Sequence, residues 1–278
     1  MFDLFQAITD RIIAQLEQGV IPWLKPWVGT GAAIKHFSGE AYSFLNQMLL
    51  GRPGEWLTFK QVQQEGGKVR KGEKSRIVVF WKWIEQKNEE TGETKNVPFL
   101  RYYSVFHIDQ CEGIKAKHTK EAPAVAKPDE AAETIIKNYL TKSGVHLIHD
   151  AGDRAYYHPS TDRVVLPMMD QFNSTAEYYS TAFHELTHST GHESRLNRIA
   201  KVAAFGSDDY SKEELVAEIG AAALNAHAGL ETPESFRNSA GYIQNWLKAL
   251  KNDKRLIVSA SGKAEKAVEL ILGEENAA

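Results

Sequence analysis

The chain has 278 residues, 42% of them hydrophobic and 25% charged, with a formal net charge of −3. That balance excludes a disordered or fibrous protein and gives enough chain for two domains with cores of their own. A single cysteine, Cys111, excludes an internal disulfide and a thiolate metal cluster, and suits a reducing cytoplasm.

No stretch approaches the roughly 18 uninterrupted apolar residues of a membrane span. The opening residues, Met1 to Gln6, lack a basic region followed by a long apolar run, so secretion is not expected. A cytoplasmic location and no membrane partner follow as expectations. Residues 1–128 carry 18 Lys and Arg against 14 Asp and Glu, net +4, whereas the remainder carries 15 against 22, net −7. Only the first half is therefore suited to meet a polyanion.

An amphipathic helix opens the chain, apolar at Phe2, Phe5, Ile8, Ile12 and Leu16 and stopped by Gly19. Ile21 to Trp27 contains Pro22 and Pro26 and must be extended or turned. Ser43 to Leu50 and Thr58 to Glu65 read as short helices. Ile77 to Ile84 and Phe99 to Phe106 read as strands of a long hairpin whose connection includes Gly92 and Glu93. Residues 1–113 thus form a small α+β domain. From Ile114 to Pro128 large apolar residues are scarce and hydrophobic periodicity is absent, which marks an exposed linker. Residues 129–278 form a second domain: a helix over 130–142, short strands at 145–149, 155–158 and 163–166, then helices.

The most informative stretch is His184-Glu185-Leu186-Thr187-His188. Ser174 with Glu177 reads as a capping box, and Tyr178, Ala182, Phe183 and Leu186 supply an apolar stripe, so a helix over roughly 175–190 is expected, with Gly191 as its stop. Helical spacing puts His184 and His188 one turn apart on one face, where both imidazoles can reach a single ion and Glu185 can serve as general base. Zn²⁺ is the expected ion, with Mn²⁺ or another divalent ion as the alternative. His192 is nearest in sequence as a third ligand, but it lies past the helix stop and is expected to be a loop residue.

A better source of the third ligand is the helix that begins near Ser211. Glu214 and Glu218 fall one turn apart on it, which suits a ligand and a partner that orients a histidine. Glu214 is the expected ligand and Glu218 the orienting partner or alternative ligand. Ser211 and Glu214 also fit a capping box, a reading that needs no metal. Further helices are expected over 234–250 and 264–272. A small sheet packed on a metal-bearing helix, with another helix completing the site, is the zincin arrangement.

Five of six tryptophans, Trp23, Trp27, Trp56, Trp81 and Trp83, precede the linker. They accompany a basic run that includes Lys68, Arg70, Lys71 and Lys74. Single-stranded nucleic acid is bound by aromatic faces that stack on bases and cations that follow the phosphates. Trp23, Lys25, Trp27, Lys60, Lys68, Arg70, Lys71 and Lys74 are the candidate contacts. The same tryptophans could equally be core.

Several segments together resemble a known family over nearly the whole chain. They are Pro22 to Trp27, Trp56 to Gln61, Gly66 to Lys74, Tyr103 to Cys111, His184 to His192, Ser194 to Leu196 and Glu213 to Glu218. The family is that of the plasmid antirestriction protein ArdC, whose N-terminal domain is shared with TraC-type conjugative primases. The resemblance implies an N-terminal domain that binds DNA, favouring single strands, and a C-terminal zincin-like metallopeptidase domain. It also implies a role in helping mobile DNA survive host restriction during conjugative entry. His184 and His188 would be ligands, Glu185 the base and Glu214 the third ligand. The stretch Ala41 to Asn46 departs from a tyrosine-glycine pattern of the family near Tyr42.

The expected partners are single-stranded DNA, with double-stranded DNA as an alternative, and a protein substrate. A DNA-coating protein with a structural metal site, and a repair-type protease that clears proteins crosslinked to DNA, remain the alternatives.

Overall fold

The computed structural model describes residues 3–24, 32–87, 94–118, 128–199, 208–230 and 240–274, with side chains outside 81–100, 128, 208–211 and 240–242. The candidate contacts Lys25 and Trp27, and the expected hairpin connection at Gly92 and Glu93, lie outside the described residues.

Helix α1 (Leu4–Glu17) starts where the Asp3 carboxylate accepts from the Gln6 amide, and it buries Ile8, Ile12 and Leu16, which recur one turn apart. Strand β1 (Ala33–Lys35) is followed by α2 (Phe44–Leu50), closed by Gly51 at a φ of 62° that a side chain would disfavour. Strand β2 (Gly54–Thr58) leads into α3 (Phe59–Gln64), whose start is a reciprocal capping box between Thr58 and Gln61. After β3 (Lys68–Val69), β4 (Arg76–Lys87) and β5 (Thr94–His107) form a long antiparallel ladder, and β6 (Cys111–Glu112) returns to pair with β3.

The main N-terminal sheet has the order β1-β2-β5-β4. This leaves β4 at an edge, with backbone groups available for unwanted pairing. Asn46 blocks part of that edge: its amide donates to the Val79 carbonyl at 2.8 Å and accepts from the Val79 N–H at 2.7 Å.

The C-terminal half comprises α4 (Pro128–Ser143), β7 (His146–Asp150), β8 (Tyr156–His158), β9 (Arg163–Pro167), α5 (Thr175–Ser189), α6 (Asp208–Ala228), α7 (Ala240–Asn252) and α8 (Leu256–Leu272). Its sheet has the order β7-β9-β8, with β7 parallel and β8 antiparallel to β9. The whole is a mixed α+β architecture, and no described helix is long and apolar enough to cross a membrane.

Three differences from the sequence expectations bear on function. Length led to the expectation that each half keeps a core of its own. Each half does hold one, around Trp56 and Val105 in the first and around Phe183 and Leu186 in the second, but the largest buried cluster joins Ile8, Ile12, Leu16, Trp23 and Leu49 to Leu215, Ile219, Trp246 and Ile257 across the two halves. Helix α6 begins at Asp208, so Ser211 lies inside it and the Ser211–Glu214 capping box is not its start. The first residues of the expected linker are also fastened. The backbone amides of Lys117 and His118 donate to the buried Glu55 carboxylate at 2.8 and 2.6 Å, because a buried anion needs donors.

Candidate metal centre and nucleic-acid face

Helix α5 begins as expected at Ser174, whose hydroxyl accepts from the Glu177 N–H at 3.1 Å. The return half of the capping box is absent, because the Glu177 carboxylate accepts from Asn173. Tyr178, Tyr179, Ala182, Phe183 and Leu186 bury one side of the helix. The other side carries His184 and His188 toward α6. His192 lies in the turn beyond the helix, bonded to Ser194.

Helices α5 and α6 approach closely because position 220 has no side chain. A Cβ on Gly220 would stand 2.6 Å from Thr187 Cγ2. This contact sets the carboxylates of α6 against the imidazoles of α5. His184 Nε2 and His188 Nε2 are 3.1 Å apart, and the Glu214 carboxylate lies 3.5 Å from the first and 3.4 Å from the second. Donor atoms that share one tetrahedral ion at about 2.0–2.1 Å stand roughly 3.3 Å from each other, so the triangle has the right size. His184, His188 and Glu214 could therefore hold an ion, and two imidazoles with one carboxylate form the donor set that zinc and similar divalent ions accept. Their side chains are 12–23% exposed, so the triangle faces solvent on one side. Glu185 is buried beside it.

The outer carboxylates divide differently from the sequence expectation. Glu218 does approach His184 Nδ1, but only to 3.9 Å, an ion-pair distance longer than a hydrogen bond. Glu213, which the sequence reading passed over, lies 3.5 Å from His188 Nδ1. Arg198 holds it in place, donating from Nη2 at 2.8 Å and from Nε at 3.2 Å. Arg198 also donates to Thr190 Oγ1 and to the Thr187 carbonyl, tying the loop after α5 to the helix.

The electrostatics follow from charge crowding. Burial disfavours the imidazolium of His188, but hydrogen bonding to Glu213 and Glu214 prevails and its pKa is pushed up to about 10. The pKa of His184 is raised by Glu214 in the same way against its burial. Burial would raise the Glu214 pKa, but its contacts with His184 and His188 hold it far below the usual carboxylate range. Glu218 moves upward, chiefly through burial.

In the N-terminal half, Trp23 is 1% exposed and packs edge-on against Trp246, with ring centroids 6.2 Å apart. It cannot stack on a base, which corrects the expectation for this residue: its ring closes the core between the halves. Trp56 is buried as well. Lys60, Lys68, Arg70, Lys71 and Lys74 are exposed, with Lys60 on α3 and the rest around the β3–β4 turn. Lys68 pairs with Glu112 and Arg70 with Glu73, which reduces the local positive field.

The sheet supplies aromatic surface that sequence reasoning missed. Phe80 and Tyr103 are 49% and 50% exposed. Tyr103 is the ladder partner of Val78, and Phe80 lies two residues beyond Val78, so both project from one face. Arg101, the ladder partner of Phe80, shares that face.

Residues 130–263 match the zincin-like metallopeptidase family, and the C-terminal half is a domain of that class. Residues 2–106 match the N-terminal domain of anti-restriction factor ArdC. The chain is similar to the antirestriction ArdC protein of plasmid R388 in two crystal structures. The metal-free one is 39% identical with a TM-score of 0.74, each chain covered to 97%. The Mn(II)-bound one is 37% identical with a TM-score of 0.77 and full coverage of both chains, 100%. A further relative is the DNA primase TraC of Escherichia coli, 35% identical over 295 residues. That match takes in 97% of this chain but only 27% of the primase. The chain belongs to the family of the plasmid antirestriction protein ArdC.

Proposed function

We propose that this antirestriction protein binds single-stranded DNA through its N-terminal half and cleaves a protein substrate at the His184, His188 and Glu214 site, acting in the cytoplasm on incoming plasmid DNA. The observation that carries the peptidase reading is the triangle of two imidazoles and one carboxylate with Glu185 buried beside it. The Mn(II) of the R388 structure supports a divalent ion, and the donor set suits Zn²⁺ as well.

A divalent ion held by these three residues supplies Lewis acidity to water and to a peptide carbonyl. His184 and His188 must lose their protons to serve as donors. Glu213, gripped by Arg198, then accepts from the Nδ1 side of His188 and fixes that ring, with Glu218 as a more distant charge beside His184. Glu185 takes the proton from the attacking water and returns it to the leaving amine as the C–N bond breaks. On the other half, exposed Phe80 and Tyr103 offer faces for stacking, with Arg101 and the cations near the β3–β4 turn for phosphates.

Recurrence of this unit within a much longer primase favours a second reading, in which shielding of DNA alone provides antirestriction. Glu185→Gln separates the two. If the substituted protein binds metal and DNA but no longer protects an entering plasmid, proteolysis is required. If protection persists at the wild-type level, shielding is sufficient and the peptidase reading of the biological role fails.

A further inference from the structure

A pocket of about 370 Å³ opens on the sheet face that carries Phe80 and Tyr103. That volume falls within the roughly 300–1,000 Å³ of small-ligand sites. Tyr42, Trp56, Phe80 and Tyr103 supply aromatic walls, Gln61 an amide, and Lys35 a cation. Asn46 makes the floor rigid through its paired bonds to the Val79 backbone.

The polar groups in this pocket are mostly donors. Trp56 is 2% exposed, and its indole Nε1–H is buried without a hydrogen-bond partner. Folded proteins rarely keep a buried donor in that state, because its hydration has been lost with nothing in exchange. Gln61 spends its carbonyl oxygen on the Thr58 N–H and hydroxyl, which leaves its amide NH₂ to donate. Burial pushes the Tyr42 phenol up to about 12, so it too keeps its proton. Lys35 is paired with Glu40, both exposed, where a phosphate could compete for it.

The fitting ligand is therefore flat enough to lie between aromatic rings, carries acceptor atoms on its edge and is attached to an anion. We infer that the pocket receives one unstacked nucleobase of a bound single strand, whose carbonyl or ring nitrogen accepts from Trp56 Nε1–H and from Gln61. This inference rests on the single-strand reading above and makes it specific: the protein holds a base, in addition to following the backbone.

Two variants test it without disturbing the core. Ala41→Trp places a large side chain at the exposed edge of the pocket, and Tyr103→Ala removes a half-exposed wall. Affinity is measured by fluorescence anisotropy for a labelled thymidine strand of about twenty nucleotides and for an equally long abasic strand that keeps every phosphate. Each substitution should weaken binding of the thymidine strand about tenfold, the loss of one stacked base, and leave the abasic strand unchanged. Equal weakening on both strands, or no change in either variant, would overturn the base pocket while leaving strand binding intact. Failure of the unaltered protein to bind either strand would overturn strand binding itself, and the pocket with it.

Discussion

Gly220 on α6 rests against Thr187 on α5, so closely that a single added carbon would fall 2.6 Å from the threonine methyl. Thr187 is fully buried and its hydroxyl is committed to the Phe183 carbonyl, so it cannot swing aside. Gly220→Ala gains about 1 kcal/mol of helix propensity but costs about 1–3 kcal/mol of overpacking. The net expectation is a lower melting temperature. Metal affinity should fall about tenfold or more as Glu214 is displaced from the imidazoles, read by titration with a competing chelator.

Glu213 and Glu218 should contribute unequally although neither belongs to the triangle. Glu213 is anchored by two bonds from Arg198 and faces His188, whereas Glu218 stays 3.9 Å from His184. Glu213→Gln and Arg198→Ala are expected to reduce metal affinity about 10–100-fold, the usual cost of losing a partner that orients a ligand. Glu218→Gln should cost less. Equal losses for Glu213→Gln and Glu218→Gln would show that orientation of His188 is not what Glu213 provides.

The raised imidazole pKa values fix the sign of the pH dependence. In the metal-free protein the facing carboxylates push the His188 pKa up to about 10, so it carries a proton at neutral pH, and they shift that of His184 upward as well. Their contribution to stability is fully present below the ordinary imidazole pKa and is lost as pH rises through the raised values. Ion binding must displace these protons, so affinity should increase with pH. Calorimetry in buffers of different ionisation enthalpy should show release of about one to two protons per ion at pH 7.

Asp162 gives an acid-side test at a group outside the triangle of His184, His188 and Glu214. It holds Arg195 through both carboxylate oxygens and accepts from Tyr157, in a backbone conformation with a φ of 49°. Burial opposes its charge, but the bonds from Arg195 and Tyr157 prevail and its pKa is lowered. That contribution is present above the unfolded carboxylate pKa and disappears as pH falls through the lowered folded value. Asp162→Asn keeps a residue tolerant of the conformation and should cost about 1–3 kcal/mol at neutral pH. Urea midpoints of wild type and variant should converge as the medium is acidified.

Trp23 distinguishes core from surface. Because its ring is buried against Trp246, Trp23→Ala should destabilise the protein by about 3–5 kcal/mol. DNA affinity per folded molecule should stay at the wild-type level, measured at a temperature where the variant remains native. A specific loss of affinity without loss of stability would restore Trp23 as a contact.

Legibility in the sequence was greatest where spacing has a single geometric meaning. The interval from His184 to His188 lies on one helix face, and the apolar stripe of α5 fixes which face is buried, so the juxtaposition of the two imidazoles could be read directly. Glu214 could be reached the same way, by its helical register. Glu213 could not, because its role depends on Arg198 folding back from a loop whose path no local rule dictates. The Ser211 capping reading failed because Asp208 starts the helix a turn earlier. The tryptophans were ambiguous because core and stacking surface draw on the same residue types. The β4–β5 register shows that Phe80 and Tyr103 share an open face, and packing against Trp246 encloses Trp23.

The most direct measurement is the metal content of the purified protein, determined by elemental analysis for the wild type, Glu185→Gln, His188→Ala and Glu214→Ala. One divalent ion per chain is expected in the wild type and in Glu185→Gln, with the ion lost from the other two. An ion absent from the wild type, or still bound at one per chain in His188→Ala and in Glu214→Ala, would contradict a centre built from these residues.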